Sequence, residues 1–266
     1  MKNTFRSMLI AISMYSKIPT PYVEWSKEAM QYSFCFFPIV GIFIGALQMG
    51  WWYLADFLQV GSFFYGAVTA VLPLLVTGGI HMDGYMDTMD AKHSYQPKER
   101  RLEILKDPHI GAFAVITALI YMVLYVGAAT EITNVTMCAL ISIGFILSRA
   151  YSSMAFVWFE PAKKEGTFYQ FASSANKKAI LISETIVIIA CGVLLIWLQP
   201  FIGIVIWASA FITFLYYKWM SYRNFGGVTG DLAGYFLQIC ELVILLLVVI
   251  LSKVIGKRQV IKWSYM

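Results

Sequence analysis

Long apolar runs alternate with short polar stretches along almost the whole chain. A helix needs about 20 apolar residues to cross the hydrocarbon core of a bilayer, and seven runs reach or approach that length. A backbone inside lipid must satisfy its own hydrogen bonds, which favours helices. We therefore predict seven membrane-spanning helices, at residues 33–54, 63–80, 110–129, 133–159, 179–198, 202–217 and 232–251.

An earlier apolar run, residues 5–15, is too short to cross a bilayer. Lys2 and Arg6 precede it as in a signal peptide, but no small-residue cleavage site follows, and the prolines at 19 and 21 end it. We expect an interfacial or re-entrant helix. The predicted fold is all-α, a polytopic transmembrane bundle in one domain of residues 1–266. It comprises an N-terminal arm (1–32), the bundle (33–251) and a basic tail (252–266).

Composition agrees with a membrane protein. Apolar residues make up 59% of the chain and charged residues 13%, against about 45–50% and about 25% in soluble domains. This excludes secreted disulfide scaffolds and disordered tails. The net charge of +5 does not indicate nucleic-acid binding, because the basic residues lie between apolar runs. The four cysteines lie inside those runs and are expected to pack as small apolar side chains.

The basic residues predict the orientation. Lys and Arg number four in the N-terminal arm, five in residues 81–109, four in 160–178 and two in 218–231, whereas the three alternate loops have none. By the positive-inside rule the long polar loops face the cytoplasm. Seven spans then put the tail, with Lys253, Lys257, Arg258 and Lys262, on the opposite side, which the same rule disfavours.

Residues 77–91, the first polar segment, carry three aspartates directly after an apolar run. Asp83, Asp87 and Asp90 are spaced i, i+4 and i+7, so they share one face if the segment is helical. Their repulsion near a bilayer must be relieved by protonation or by a bound cation. Mg²⁺ typically takes one or two carboxylates together with substrate phosphates. The alternative is a solvated acidic loop balanced by nearby basic residues.

The first polar segment also contains three glycines and a histidine. Gly78, Gly79 and Gly84 would let the backbone approach a bulky anion closely. His81 is either a proton-transfer group or a hydrogen-bonded structural partner of the adjacent aspartate.

Residues 223–231, the second polar segment, lie just before the last span on the same predicted side. They contain Gly226, Gly227, Thr229 and Gly230 and end at Asp231. Both polar segments place an aspartate four residues after a Gly-Gly pair. We expect the two segments to enclose one site. Asp231 is either a further metal ligand or the N-cap of the final helix.

Two ionisable residues lie inside predicted spans. Arg149 is ten residues from the cytoplasmic end of its span, about 15 Å along a helix, so we expect it to face a polar cavity rather than reach the bilayer surface. A phosphate or a carboxylate matches its guanidinium. Glu241 lies ten residues into the last span and is a functional candidate for the same reason. Lys106, in a loop after a predicted short surface helix, could reach the site.

Together these features indicate a membrane enzyme with a cytoplasmic, acid-lined and glycine-rich site for a magnesium-held phosphate or pyrophosphate. Group transfer and cation-coupled transport both use such residues. Transport predicts acids near the bilayer middle and a repeat between halves. The acids instead cluster at one edge, which favours group transfer.

These motifs in combination resemble the cobalamin synthase family, also called adenosylcobinamide-GDP ribazoletransferase. The resemblance covers almost the whole chain. It rests on Ser16-Lys17-Ile18-Pro19-Thr20-Pro21, Gly78-Gly79-Ile80-His81-Met82-Asp83-Gly84 with Asp87, Asp90 and Ala91, Lys106-Asp107-Pro108 with Ile110-Gly111-Ala112-Phe113, Ser148-Arg149-Ala150, and Gly226-Gly227-Val228-Thr229-Gly230-Asp231 with Gly234 and Glu241. Gln238 is a departure, because the family commonly carries a glutamate there.

The resemblance implies a bacterial inner-membrane enzyme that joins adenosylcobinamide-GDP to α-ribazole or its 5′-phosphate. GMP is released, Mg²⁺ is the cofactor, and the product is adenosylcobalamin or its 5′-phosphate. The partners are these substrates and the lipid bilayer, without nucleic acid. A homo-oligomer and a complex with other cobalamin-assembly enzymes both stay open.

On this reading, each candidate residue receives a role. Asp83, Asp87 and Asp90 would hold Mg²⁺, with Asp231 as a further ligand. Phosphate would be held by Arg149 and Lys106, and the hydroxyl proton taken by His81 or an unligated aspartate. Substrate would contact a third set: Gly78, Gly79, Gly84, Gly226, Gly227, Thr229, Gly230 and Glu241.

Two other classes share part of this pattern. CDP-alcohol phosphotransferases and prenyltransferases use similar aspartate spacings, but the Gly-Gly-Ile-His and Gly-Gly-Val-Thr-Gly-Asp contexts do not fit them. A cation-coupled transporter is the alternative outside the enzymes.

Overall fold

The computed structural model describes the backbone of residues 2–163 and 166–263, with side chains described for 4–163, 169–171 and 173–256. Apart from one bridge between Pro161 and Val228, the regular structure in these ranges is helical. The predicted all-α class is confirmed.

Twelve α-helices follow one another within the described ranges, with one 3₁₀ turn at Ser33–Phe36. They are α1 (Lys2–Tyr15), α2 (Lys27–Met30), α3 (Phe37–Phe57), α4 (Ser62–Thr77), α5 (Ile80–His93), α6 (Lys98–Ile104), α7 (Ala112–Ala129), α8 (Val135–Trp158), α9 (Gly166–Ser174), α10 (Lys177–Leu198), α11 (Pro200–Phe225) and α12 (Gly230–Trp263).

Each of the seven predicted spans coincides with a helix. In the described residues, α3, α7, α8, α10, α11 and α12 are long and apolar enough to cross a bilayer, and the bent pair α4–α5 gives up to a seventh crossing. The chain is therefore a multi-pass membrane protein. Helix α1 has only 14 residues and is too short to cross, as the sequence predicts.

Helix α8 is the centre of the bundle. It is buried along most of its length and packs against α3, α10, α11 and α12. Helices α7 and α10 expose far more of their apolar surface, as expected of helices that face lipid. Polar side chains in the middle of α8 are therefore shielded from both lipid and water.

A sharp bend separates α4 from α5. Helix α4 ends at Gly78 with φ 64°, and Gly79 follows with φ 80°. Only glycine adopts consecutive left-handed conformations at little cost. The chain turns by 96° at this point, so α5 crosses the beginning of α12 instead of continuing along α4.

The second polar segment is tied to the end of α8. Helix α11 ends where Gly226 takes φ 79°. Val228 then donates its N–H to the Glu160 carbonyl at 2.9 Å and accepts from Ala162 N–H at 2.9 Å. This pairing directs the chain into α12 beside the first polar segment.

The far end of α12 lies beside the connection between α7 and α8. There Lys253 forms an ion pair with Glu131, so this end is remote from the two polar segments. The side chains of Lys257, Arg258 and Lys262 lie outside the described residues.

Candidate active site

The two polar segments meet where α5 crosses the first turns of α12. A Cβ added at Gly84 would lie 2.7 Å from the Asp231 carbonyl oxygen, and one added at Gly234 would lie 2.9 Å from the His81 carbonyl oxygen. The backbones touch because both positions lack a side chain. The predicted convergence of the segments is therefore seen in the structure.

The aspartates gather around this crossing. Asp83 is exposed, Asp87 and Asp231 are half-buried, and the negative charges of Asp83, Asp90 and Asp231 all act on Asp87. Asp90 lies against Gly111, directly before α7, where the helix dipole favours an anion.

The four aspartates do not form a ready-made ligand set. Within the described part of the chain, no three His, Cys, Asp or Glu side chains lie close enough together to hold one metal ion. The carboxylate oxygens are nevertheless the hard ligands that Mg²⁺ prefers, and one or two suffice when substrate phosphates supply the others.

Asp231 is not the N-cap of α12. The N-cap residue is Thr229, whose hydroxyl accepts the Leu232 N–H at 3.2 Å. Asp231 instead lies within the first turn, and of the two sequence alternatives the capping role is wrong. Its carboxylate lies at the crossing, where the charge of Asp83 acts on it and the Thr229 side chain hydrogen-bonds to it.

A pocket of about 180 Å³ opens between α1, α5, α8 and α12. Asp83, Gly230 and Asp231 line it on the polar side, where the two segments meet. We call it the aromatic pocket, because half of its remaining lining residues are aromatic: Tyr15, Phe34, Phe37, His81, Phe156 and Phe171.

His81 lies in the wall of the aromatic pocket. The side chain is buried, its ring centroid is 5.8 Å from that of Phe37, and its Nε2 has no hydrogen-bond partner among the described residues. A buried nitrogen without a partner costs free energy unless something supplies one. A ligand in the pocket could do so, whereas the expected bond to the adjacent Asp83 is not made.

Arg149 and Glu241 lie one helical turn deeper than Ser152, which lines the pocket. Arg149 Nη1 donates to Glu241 Oε1 at 2.5 Å and to the Phe145 carbonyl at 2.9 Å, and Ser148 Oγ lies 3.2 Å from the same carboxylate. The partner of the buried guanidinium is thus a carboxylate. Contact of either residue with substrate stays a prediction.

The predicted substrate-binding glycines divide into two groups. The space beside Gly78 is filled by Lys17, that beside Gly84 by Asp231, and that beside Gly227 by the Pro161 backbone. At these three positions the glycine permits close packing, and contact of their backbone with substrate stays a prediction. The sites beside Gly79, Gly226 and Gly230 are open and keep the predicted approach.

The loop before α7 contributes Lys106 and Asp107, both exposed. Asp107 accepts the His109 backbone N–H at 2.9 Å and lies 2.7 Å from the His109 ring nitrogen. These hydrogen bonds lower the pKa of Asp107.

At the aromatic pocket, burial raises the pKa of the Tyr15 hydroxyl, which is therefore neutral.

The aromatic pocket was missed by sequence reasoning. Its residues come from segments that are remote in sequence and individually resemble ordinary membrane-helix aromatics. One signal was present: Ser152 and Phe156 follow Arg149 at i+3 and i+7 on one face of α8. The buried arginine thus marked the helix face that leads to the pocket.

A family model described as cobalamin-5-phosphate synthase matches residues 7–249. An adenosylcobinamide-GDP ribazoletransferase from Lachnoclostridium phytofermentans is 45% identical over 94% of this chain and 95% of its own length. Relatives of the same name are 32% identical in Clostridium botulinum, over 91% and 96%, and 29% identical in Brevibacillus brevis, over 91% and 97%. No solved structure matches the chain.

Proposed function

The chain belongs to the cobalamin-5-phosphate synthase family, and from that premise we propose that it is an adenosylcobinamide-GDP ribazoletransferase whose site lies where α5 crosses α12. The relatives of that name align with this chain over almost their whole length. The observation that supports this location is that Asp83 and Asp231, which are remote in sequence, line one pocket.

The reaction is a displacement at phosphorus. A ribose hydroxyl of α-ribazole, or of its 5′-phosphate, forms a new O–P bond to the phosphoryl group attached to cobinamide. The bond from that phosphorus to the bridging oxygen breaks, and GMP leaves with the oxygen. The hydroxyl proton passes to a carboxylate at the site, for which exposed Asp83 is the best placed.

Asp87 and Asp231 would hold Mg²⁺, which would supply neutralisation of the negative charge on the diphosphate, and Asp83 would stay unligated as the proton acceptor. Substrate phosphates would supply the remaining ligands, as is typical of Mg²⁺ sites with one or two carboxylates. Asp90 is the weaker candidate ligand, since it lies against Gly111. Lys106, exposed before α7, is suited to the outer phosphate.

We further propose that the site faces the cytoplasm of a bacterial cell. The four connections on its side of the bundle carry fifteen Lys and Arg residues (four, five, four and two), and the three opposite loops carry none. That asymmetry supports an inward orientation in the cytoplasmic membrane.

The test is product formation by purified protein in lipid nanodiscs. With adenosylcobinamide-GDP and α-ribazole, we expect GMP and a complete corrinoid in equal amounts, with turnover lost when Mg²⁺ is chelated. No product in the presence of Mg²⁺, together with ion flux in liposomes, would reject the transferase in favour of a transporter.

A further inference from the structure

The aromatic pocket contains features that the phosphoryl chemistry does not use. Its volume is about 180 Å³, and a cavity of about 150 Å³ is known to hold benzene. A flat ring system therefore fits, whereas a corrin macrocycle does not. The question is which part of the two substrates enters it.

The walls favour an apolar planar group. Phe34 and Phe156 pack with ring centroids 3.7 Å apart, and Tyr15 and Phe37 with centroids 4.3 Å apart. Phe171 of α9 meets Phe34 edge-on at 6.3 Å. Aromatic walls of this kind stabilise the faces of a planar ring.

The interior offers few hydrogen-bonding groups to such a ring. The His81 Nε2 is buried and has no protein partner among the described residues, and the hydroxyls of Tyr15 and Ser152 are the other polar side-chain groups in the apolar part of the described wall. Guanine carries polar atoms on most of its edge, so this interior would leave several unpaired, at about 1–3 kcal/mol each. The base of α-ribazole is a benzimidazole, which presents one free ring nitrogen because its other nitrogen carries the ribose.

The position of the charges points the same way. Guanine could pair with Asp83 and Asp231 only if its sugar and phosphates entered the aromatic interior. The one cation beneath that interior in the described chain is Arg149, which is already paired with Glu241. The reverse pose, with a base inside and its ribose at the aspartates, leaves no phosphate in an apolar place.

We propose that the aromatic pocket binds the heterocyclic base of the acceptor nucleoside, with a ring nitrogen at His81 Nε2 and the ribose hydroxyls directed towards Asp83 and Asp231. This inference rests on the proposed transferase function. It makes the pocket the site that selects the base, and His81 a binding residue.

Filling the pocket tests the proposal. Ala233 of α12 lines it and is half-buried, so Ala233→Leu occupies the space of the base. We expect α-ribazole binding to nanodisc-embedded protein, measured by calorimetry, to weaken by about tenfold or more, with GMP binding unchanged. Ala67→Leu, at a half-buried alanine of α4 away from the pocket, is the matched control.

A second variant protects the test against misfolding. His81→Phe keeps a flat ring but removes the nitrogen, and should weaken α-ribazole binding while GMP still binds. Loss of GMP binding alone in either pocket variant would assign the pocket to the donor, and unchanged α-ribazole binding in both would equally overturn the proposal.

Turnover separates this inference from the proposed function. Product formation by the unmodified protein, with an unchanged KM for α-ribazole in Ala233→Leu, would leave the function standing and reject the pocket assignment. Absence of product, with α-ribazole binding that still depends on Ala233, would reject the function and retain the pocket.

Discussion

At the scale of single residues, the charged side chains divide into two layers. Asp83 and Asp231 lie where the polar segments meet and water has access, whereas Arg149 and Glu241 are buried against each other one turn below the pocket wall. The upper layer is suited to binding and proton transfer. In the lower layer the two opposite charges are paired with each other.

Replacement of the aspartates should distinguish metal ligands from a proton acceptor. We expect Asp231→Asn to weaken Mg²⁺ activation by at least about tenfold, with partial rescue at high Mg²⁺, because a ligand loss is a binding defect. Asp83→Asn should not be fully rescued if Asp83 takes the proton. Steady-state rates against Mg²⁺ concentration measure both.

The control for this scan is Asp56→Asn, at an exposed aspartate on the opposite side of the bundle. It should leave activity and Mg²⁺ dependence unaltered. Identical Mg²⁺ curves for all three variants and the parent would contradict the proposed ligand role.

The buried ion pair gives a second prediction. Arg149→Met should destabilise the protein by about 3–5 kcal/mol, because Glu241 is left as an uncompensated buried charge. Combining it with Glu241→Leu should recover much of that loss. Thermal unfolding in detergent is measured for the parent, the two single variants and the double variant.

The activity of the double variant decides between two roles for Arg149. A folded, active double variant would show that the pair acts through stability alone. A folded double variant that no longer binds the donor would support the prediction that Arg149 contacts a substrate phosphate. Arg149→Met as stable as the parent would contradict the buried pair.

At the scale of elements, the site depends on the crossing of α5 over α12. The existence and approximate extent of the seven spans could be predicted, because the length of an apolar run is a local property. The 96° turn between α4 and α5 could not be predicted, because Gly78 and Gly79 indicate a flexible position but do not fix the angle of the bend. The aromatic residues of the pocket could not be predicted as one group either, because α1, α8 and α9 come together there only in the folded bundle.

The polar segments show the same limit. The sequence indicated that Asp83 and Asp231 share a site, and the structure brings them together. The sequence did not indicate that the Asp231 backbone would occupy the space beside Gly84, or that Thr229 would be the N-cap residue. Both depend on how two remote helices pack.

Widening this crossing should impair catalysis. A Cβ at Gly84 would lie 2.7 Å from the Asp231 carbonyl oxygen, so Gly84→Ala must push α5 and α12 apart. A displacement of about 1 Å can cost roughly 100-fold in rate, and we expect a loss of that order in kcat.

The matched variant is Gly127→Ala, because nothing lies within 4 Å of a Cβ added there on α7. It should retain the parental rate and unfolding temperature. Normal turnover by Gly84→Ala would show that the contact between the two helices is not needed.

At the scale of the whole molecule, the bundle has two ends, which six or up to seven crossings of the described chain connect. The polar segments and α6 lie at one end, and the connection between α3 and α4 lies at the other. The Lys253–Glu131 ion pair keeps the far part of α12 at that second end. Lys253 therefore lies at the end of the bundle opposite the polar segments.

Thiol labelling can test this arrangement in intact cells. Three native cysteines are buried and Cys35 is half-buried, so background labelling should be low. An impermeant maleimide should react with Ser62→Cys in intact cells and with Glu103→Cys only after the membrane is opened. The reverse pattern would invert the proposed orientation.

The most direct test of the account is a double-mutant cycle between the two polar segments. We predict that kcat/KM for Asp83→Asn combined with Asp231→Asn is little lower than that of the worse single variant, with a coupling of about 0.5–3 kcal/mol, because both residues serve one site. Independent, multiplicative losses, or no loss in either single variant, would contradict a shared catalytic centre at the crossing of α5 and α12.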